Sequence, residues 1–519
     1  MSEVLERSGR TGGVDRDVQR LHELGYAQEL LRKMSGFSNF AVSFTIISIL
    51  SGCLTLYGFG MNVGGPVVMS IGWPLVGIMV VIVGLAMAEV CSSYPTAGGL
   101  YYWSAKLARS NAPAWSWFTG WFNLLGQIGV TAGIDFGLAF FVGALLNLTT
   151  GMDVTDNRII LIYGVVLFLH GLLNTFGVRL VALLNDVSVW WHIGGVLVIV
   201  GSLVLFADTH QSADFVFTEF VNNTGWGFAG SGAYVFLIGL LLAQYTFTGY
   251  DASAHMTEET MDADVSGPRG IVMSIVVSLV AGWVLLLGVT FAIQDYDGAL
   301  ASDTGVPPAQ IFIDAVGRNF GELLLFIVVG AQFFCGMASV TANSRMIYAF
   351  SRDGALPASR FWHRINPRTR TPTNSIWLAA VGAFLLGLPY LYSPTAYFAV
   401  TSIAVIGLYI AYIIPIFLRL RAGDRFQPGP WHLGRWSRPI GWLAVAWVVF
   451  ICVLFVLPQF SPINVDTFNY APVAVGVVLL FSGGWWLLSA RRWFTGPQVQ
   501  GTPEELAAIE HELTSVGQA

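Results

Sequence analysis

An acidic residue follows one of the most apolar stretches of this 519-residue chain. Residues 234–243 read YVFLIGLLLA, and the sequence that follows, QYTFTGYDASAHM, brings Thr248, Gly249 and Asp251 together. An ionised carboxylate inside a membrane costs about 3 kcal/mol or more, so such a residue usually serves a function. Asp251 could bind a substrate ammonium or accept a proton. Alternatively, its side chain could cap a helix that starts after it.

The composition indicates that a lipid bilayer surrounds most of this chain. Hydrophobic residues make up 55% and charged residues 11% of the sequence, with a mean hydropathy of +0.65. Soluble globular chains carry about 25% charged residues. Apolar windows of about 20 residues, the length that crosses a bilayer, predict an all-α polytopic membrane protein with about twelve transmembrane helices. These windows, numbered here as spans 1 to 12, lie near residues 38–60, 72–91, 117–146, 158–176, 185–207, 232–252, 270–293, 321–349, 374–391, 396–418, 440–460 and 470–490.

Two spans carry a hydroxyl–glycine pair near the middle. Span 1 has Ser51-Gly52, and span 6 has Thr248-Gly249. Irregular backbone survives in a bilayer only where protein buries it or where it lines a cavity. The pairs therefore predict interrupted helices, with close packing of small residues as the alternative. Interruptions at matching positions predict an inverted repeat of five plus five helices, followed by two extra C-terminal helices.

Basic residues predict the orientation of these segments. With the N-terminus inside, only Arg158 and Arg318 of the 25 Lys and Arg residues fall on outer segments, as the positive-inside rule requires. Both termini are therefore expected in the cytoplasm of a cell whose plasma (inner) membrane holds the chain. The predicted segments are a cytoplasmic N-terminal segment (1–37), a first five-helix repeat (38–207), an extracellular loop (208–231), a second five-helix repeat (232–418), a cytoplasmic loop (419–439), helices 11 and 12 (440–490) and a cytoplasmic tail (491–519).

Five stretches resemble a known family. They are LGYAQELLRKMSGFSNFAVSFTIIS (24–48), EVCSSYPTAGGLYYW (89–103), GWFNLLGQIGVTAGIDFGLAF (120–140), TFTGYDASAHMTEET (246–260) and SRMIYAFSRDGALP (344–357). The chain is similar here to amino acid–polyamine–organocation (APC) superfamily permeases, more narrowly to the branch of γ-aminobutyrate, choline and amino acid permeases. The resemblance extends over nearly the first ten spans, and spans 11 and 12 match only as apolar segments. It implies the five-plus-five fold with interrupted helices 1 and 6.

The resemblance also implies a substrate site between the two interruptions. Backbone N–H groups around Ser51, Gly52 and Cys53 would bind a substrate carboxylate, because a helix N-terminus favours negative charge. Phe247 would cover the bound substrate as a gate, or it is an ordinary buried aromatic residue. The substrate-binding candidates are Ser51, Gly52, Cys53, Thr55, Gln127, Asp135, Tyr245, Phe247, Thr248, Gly249 and Asp251.

A candidate residue for coupling transport to an ion gradient lies in span 5. His192 lies where several relatives carry a lysine that stands in for a sodium ion, and histidine titrates near physiological pH. Proton coupling is therefore expected rather than sodium coupling, with a hydrogen-bonded structural histidine as the alternative. By resemblance Cys335 and Ser339 of span 8 are neighbours of His192. The coupling candidates are His192, Asp251, Cys335 and Ser339.

Span 3 holds a second intramembrane carboxylate. Asp135 follows Gln127 by eight residues, about two helical turns along a similar face. Asp135 could bind a cationic headgroup or pair with another span. His170 and Asn174 of span 4 are assigned to packing. The loop sequence SRDGALP (351–357) is expected to fix the geometry of a gate.

Together these features predict a secondary active transporter that imports a small amino acid or amine by alternating access, with γ-aminobutyrate as the leading substrate. A choline, ethanolamine or polyamine permease and an amino acid exchanger are alternatives, and a transporter-like nutrient sensor is a different class. Motifs of enzymes and cofactor sites do not occur with their required context, so no cofactor, metal or nucleic acid is expected. The expected partners are the substrate, the proton and the bilayer, and oligomeric state stays open.

Overall fold

The polypeptide forms a bundle of membrane-crossing helices. A computed structural model describes residues 16–176, 178–392 and 395–518, and in these ranges isolated bridges are the only β-type pairing. Eleven helices within them are long and apolar enough to cross a membrane. Span 6 is not among the eleven because an interruption shortens it to the apolar stretch Ser231–Thr246. The prediction of an all-α polytopic membrane protein is confirmed. The first fifteen residues of the predicted N-terminal segment lie outside the described ranges.

The helices begin and end close to the predicted windows. Spans 3 and 8 are the longest, with 39 and 35 residues. The spans are Gly36–Ile47 with Ile49–Thr55 (span 1), Val68–Ser93 (2), Ala112–Thr150 (3), Asp156–Phe176 (4), Val178–Phe206 (5), Ser231–Thr246 (6), Ala263–Phe291 (7), Arg318–Arg352 (8), Thr373–Leu391 (9), Thr395–Ala422 (10), Ser437–Val456 (11) and Ala471–Leu488 (12). Shorter helices are Tyr57–Asn62, Gly99–Leu107, Ala213–Thr218, Ala252–His255, Tyr296–Leu300, Pro307–Val316, Ser359–Trp362 and Pro503–Gln518.

Span 3 lies at the centre of the bundle. It packs along spans 8 and 10, while span 7 packs along spans 1 and 2. Spans 5, 11 and 12 instead present exposed apolar side chains such as Leu197, Trp442 and Leu480. Because apolar surface on a membrane protein faces lipid, these three spans form part of the outer wall.

Span 1 is interrupted at Ser48. The helix Gly36–Ile47 ends there, and Ile49–Thr55 begins directly after it. Ser48 has a φ of +39°, in the left-handed region that non-glycine residues seldom adopt. The sequence pattern put the break at Ser51-Gly52, three residues later, and that position is wrong. Gly52 is needed for packing rather than for the turn of the chain.

Span 6 is interrupted where its sequence pattern predicted. Leu241–Thr246 ends the first half, and Ala252–His255 starts a short helix after the break. Gly249, between them, has a φ of +87°, which glycine adopts without steric cost. Asp251 makes no capping hydrogen bond to the helix that follows it, so the capping alternative is wrong.

The two interruptions pack against each other. A Cβ atom at Gly52 would lie 2.6 Å from Cγ2 of Thr246, and a Cβ atom at Gly249 would overlap Ile46. Each glycine therefore accommodates the opposite span at the residues beside its break. Spans 1 and 6 are in contact beside both breaks, and the irregular backbone lies buried in protein, as a bilayer requires.

Both described ends of the chain lie on one side of the bundle. The Ala27 N–H donates to the Gln500 side chain at 2.8 Å, and the Gln500 N–H donates to the Gly25 carbonyl at 2.9 Å. Because the two terminal segments are in contact, the chain between them must cross the membrane an even number of times. We call this side the terminal side. The opposite side carries the loops at 151–155, 207–230 and 292–306.

Replacement of Gly249 with alanine tests the packing of the interruptions. The left-handed backbone and the overlap with Ile46 are each expected to cost about 1–3 kcal/mol. The detergent-solubilised Gly249→Ala protein should therefore have a clearly lower melting temperature than the wild type. Size-exclusion chromatography after heating measures the fraction that remains folded. Gly201→Ala is the matched control, because no atom lies within 4 Å of a Cβ there. Equal melting temperatures for the two variants would contradict the packing described.

Candidate functional site

A cavity of about 580 Å³ opens on the side opposite the termini. We call it the vestibule; its walls include Thr55 and Phe59 of the span 1 region, Phe141 of span 3 and Tyr397 of span 10. Thr55 is the last residue of the helix that starts at the span 1 interruption. The vestibule thus reaches the half-helix that begins at the centre of the bundle.

Span 10 supplies hydrogen bonds that the interrupted span 6 lacks. The Tyr412 hydroxyl accepts the Gly249 N–H at 3.3 Å, and the Tyr409 hydroxyl donates to the Phe247 carbonyl at 3.0 Å. Backbone groups without partners are costly away from water. These two tyrosines therefore stabilise the broken segment without restoring its helix.

Asp251 joins the same network. Gln127 of span 3 donates to Asp251 Oδ2 at 2.7 Å, and the Tyr412 hydroxyl donates to Oδ1 at 2.7 Å. His255 Nε2 lies 3.3 Å from Oδ2, and Asp251 is completely buried. With both oxygens engaged, Asp251 ties the interruption to spans 3 and 10. The sequence did not identify Tyr412, because its role depends on a contact between distant spans. The contact of His255 was also missed, although its position four residues after Asp251 was an available signal.

The other predicted residues of span 6 face different neighbours. The Phe247 ring lies 4.4 Å from the Trp73 ring of span 2, and the Thr248 hydroxyl donates to the Tyr245 carbonyl at 2.7 Å. The Tyr245 hydroxyl has no hydrogen-bond partner within the described chain. Tyr245 is thus the member of this group whose side chain retains an unused polar atom.

The predicted carboxylate-binding turn of span 1 differs from expectation. The N–H groups of Ser51 and Gly52 both donate to the Ser48 carbonyl at 2.8 Å, so they are not the free donors that were predicted. Because the break lies at Ser48, the first unpaired N–H groups of the new helix belong to Ile49 and Leu50. Cys53 is fully buried in the hydrophobic core.

Two of the predicted coupling residues lie beside the span 1 interruption. His192 Nε2 is 2.7 Å from the Ser48 hydroxyl, and Nδ1 is 2.8 Å from the Ser188 carbonyl. The Cys335 thiol donates to the Ile46 carbonyl at 3.2 Å. Ser339 instead exchanges a hydrogen bond of 2.8 Å with Thr131 of span 3. The structure therefore joins His192 to the break but gives Ser339 a partner on span 3.

Gln127 and Asp135 of span 3 serve separate networks. Gln127 binds Asp251, whereas Asp135 Oδ2 lies 3.2 Å from His170 Nδ1 of span 4. The assignment of His170 to packing is therefore incomplete. The sequence did contain a signal for this pair, because spans 3 and 4 each carry one intramembrane group, Asp135 and His170, that can pair with the other.

Buried ion pairs close the terminal side. Arg345 of span 8 pairs with Glu259 at 2.7 Å, and Arg352 pairs with Glu258 at 3.1 Å. The Arg352 guanidinium also lies 3.7 Å from the centre of the Tyr26 ring. These contacts join the N-terminal segment, the end of span 6 and the end of span 8. The bundle is thus closed on the terminal side while the vestibule stays open.

Asp353 extends this closed layer. Its carboxylate accepts hydrogen bonds from Tyr26 at 3.0 Å, from Tyr101 at 2.5 Å and from the Gln498 N–H at 3.1 Å. Burial raises the pKa of Asp353, and the neighbouring Arg352 guanidinium opposes that shift. Gln498 belongs to the C-terminal tail, so both terminal segments contribute to the closure.

Glu259→Gln tests whether these ion pairs stabilise the closed layer. Loss of one buried partner leaves Arg345 uncompensated, which typically costs about 3–5 kcal/mol. The melting temperature of the solubilised protein should fall. Glu322→Gln is the matched control, since its partner Arg318 is 62% exposed and water replaces the lost contact, so the pair is worth about 1 kcal/mol or less. A control that loses as much stability as Glu259→Gln would contradict a special role for the buried pairs.

Comparison with known proteins agrees with this architecture. Residues 34–480 match the family model described as amino acid permease. The amino-acid permease BAT1 of Arabidopsis thaliana is 48% identical over 93% of this chain and 96% of its own length. Its homologue in Oryza sativa is 46% identical, over 94% and 96%. The GABA-specific permease of Saccharomyces cerevisiae is 32% identical, over 93% and 86%. The chain is thus a transporter homologue rather than an enzyme, and it belongs to the amino acid permease family.

Proposed function

We propose that this chain transports a small amino acid across the plasma membrane by alternating access, with γ-aminobutyrate as the first substrate to test. The observation that carries the proposal is the packing of two interrupted helices against each other. A vestibule extends from one side as far as Leu54 and Thr55 of span 1, and buried ion pairs close the other side. The GABA-specific permease among the relatives supports the choice of substrate.

The substrate would lie between residues 48–55 of span 1 and residues 245–249 of span 6. These segments are in tight contact at Gly52 and Thr246, so binding would require them to separate. Its carboxylate would face the start of the Ile49–Thr55 helix, where the helix dipole and free N–H groups favour negative charge. Its ammonium would face the unpartnered Tyr245 hydroxyl. Asp251, whose two oxygens already have donors, would order the interruption instead of contacting the ammonium.

Transport requires the closed layer to open. If the terminal side is cytoplasmic, as the distribution of basic residues favours, release would separate Arg345 from Glu259 and Arg352 from Glu258. The chain has no nucleotide-binding motif, so an ion gradient would supply the energy. We assign that role to the proton.

Purified protein in proteoliposomes tests the substrate and the energy source together. Unlabelled γ-aminobutyrate inside the vesicles should drive counterflow of labelled γ-aminobutyrate, and an acidic exterior should drive accumulation that an uncoupler abolishes. A panel of other amino acids, choline, ethanolamine and polyamines ranks the alternatives. Counterflow confined to choline or polyamines would contradict an amino acid substrate, and binding without any flux would favour a sensor.

Tyr412→Phe tests the support of the interruption. The change removes hydrogen bonds to the Asp251 carboxylate and the Gly249 N–H without altering the ring. A hydrogen bond to a charged group is worth about 1.5–3 kcal/mol, so initial uptake should fall about tenfold or more if it acts in transport. Tyr392→Phe, at a side chain 92% exposed, is the control. Unchanged uptake by Tyr412→Phe would contradict the proposed role.

A further inference from the structure

A buried acid–base pair lies between spans 3 and 4, outside the networks that support the interruptions. Asp135 Oδ2 and His170 Nδ1 are 3.2 Å apart, and neither side chain has any exposed surface. An ionised carboxylate only accepts hydrogen bonds, so Nδ1 carries the hydrogen that it donates to Asp135. The second ring nitrogen, Nε2, is then free to gain a proton.

The pair keeps one unused atom on each residue. Asp135 Oδ1 and His170 Nε2 have no hydrogen-bond partner among the described residues, although nearly all buried polar groups have one. His192, the buried histidine that the sequence predicted for coupling, has no such unused atom. Both of its ring nitrogens are engaged, by the Ser48 hydroxyl and the Ser188 carbonyl. Among the described residues, His170 therefore offers an unoccupied ring nitrogen that His192 lacks.

The pair is surrounded by tightly packed, uncharged groups, so a net charge on it is energetically unfavourable. The His170 ring lies 4.5 Å from the Phe333 ring, and Gly336 of span 8 packs so closely that a Cβ atom there would overlap Asp135. Three neutral titratable side chains on the packed spans interact electrostatically with Asp135. They are Tyr163 of span 4, Tyr245 of span 6 and Cys335 of span 8.

Polar side chains extend from the vestibule toward this region. Gln332 lies one turn before Gly336 on span 8 and donates to the Thr55 hydroxyl at 3.3 Å. Thr55 lines the vestibule, and the Gln332 side-chain carbonyl oxygen is another buried atom without a partner in the described chain. Water that enters from the vestibule would find hydrogen-bond partners along this path.

We infer that Asp135 and His170 are the proton-binding pair that couples substrate transport to the proton gradient. In the vestibule-open state a proton from water adds to His170 Nε2, while Nδ1–H stays bonded to Asp135. The pair changes from a net charge of −1 to a neutral ion pair. Release of the same proton to water on the other side completes the cycle, and no other bond changes. The inference rests on the proposed function, whose substrate it does not specify.

Tyr245 links the pair to the substrate site. Its hydroxyl is a donor without a partner among the described residues, it interacts electrostatically with Asp135, and it lies two residues before Phe247, where span 6 breaks. A net negative pair attracts that hydroxyl, and protonation of His170 weakens the attraction. The protonation state of the pair would thus act directly on the interruption of span 6.

Three variants in proteoliposomes test the inference. Asp135→Asn and His170→Gln alter the pair, with His170→Asn as the substitute if His170→Gln cannot be purified. His192→Gln is the comparison at a second buried histidine. Counterflow without a pH gradient first shows that each variant binds and exchanges substrate. Accumulation is then measured with the exterior one pH unit more acidic, which supports about tenfold accumulation for one coupled proton.

Asp135→Asn and His170→Gln should retain counterflow but lose gradient-driven accumulation, so that internal and external concentrations become equal. Their counterflow should also lose the pH dependence of the wild type, which a merely structural role would not remove. His192→Gln should reach the same final accumulation ratio as the wild type, although loss of its hydrogen bond to Ser48 is expected to slow uptake. Wild-type-like accumulation by both pair variants, or its loss in His192→Gln alone, would overturn the inference but leave proton-driven transport intact. If the pH gradient does not change substrate accumulation by the wild-type protein, proton coupling itself is overturned.

Discussion

The need to satisfy broken backbone inside a bilayer governs this structure. Unpaired N–H and C=O groups are costly in lipid, so two interrupted helices can exist only if other spans supply partners. Tyr409 and Tyr412 of span 10 provide them for span 6, and the Cys335 thiol of span 8 donates to the Ile46 carbonyl beside the break in span 1. The two broken segments then pack on each other at Gly52 and Gly249.

The two intramembrane acids Asp251 and Asp135 differ in how far their oxygens are occupied by hydrogen bonds. Asp251 has donors for both oxygens and ties span 6 to spans 3 and 10, so its burial supports the site's shape. Asp135 and its partner His170 retain unused atoms among the described residues and lie outside that support, which is why we propose them as the proton-binding pair.

Hydropathy and glycine placement predicted the spans and the break at Gly249, because both depend on local sequence. The break at Ser48 was not predictable in this way, since a non-glycine residue adopts the left-handed conformation there and the nearby glycine serves packing. The partners of Asp251, Asp135 and Glu259 were missed for another reason. Tyr412 lies 161 residues from Asp251 along the chain, so no pattern within one span could reveal the contact.

Transport as proposed depends on a substrate that binds between two broken helices. Cryo-electron microscopy of the wild-type protein in lipid nanodiscs with saturating γ-aminobutyrate, or with whichever amino acid the counterflow panel selects, tests this binding site directly. Ligand density is expected between residues 48–55 and residues 245–249, with both spans interrupted beside it. Helices that continue without a break through Ser48 and Gly249, or ligand bound elsewhere with this space filled by side chains, would contradict it.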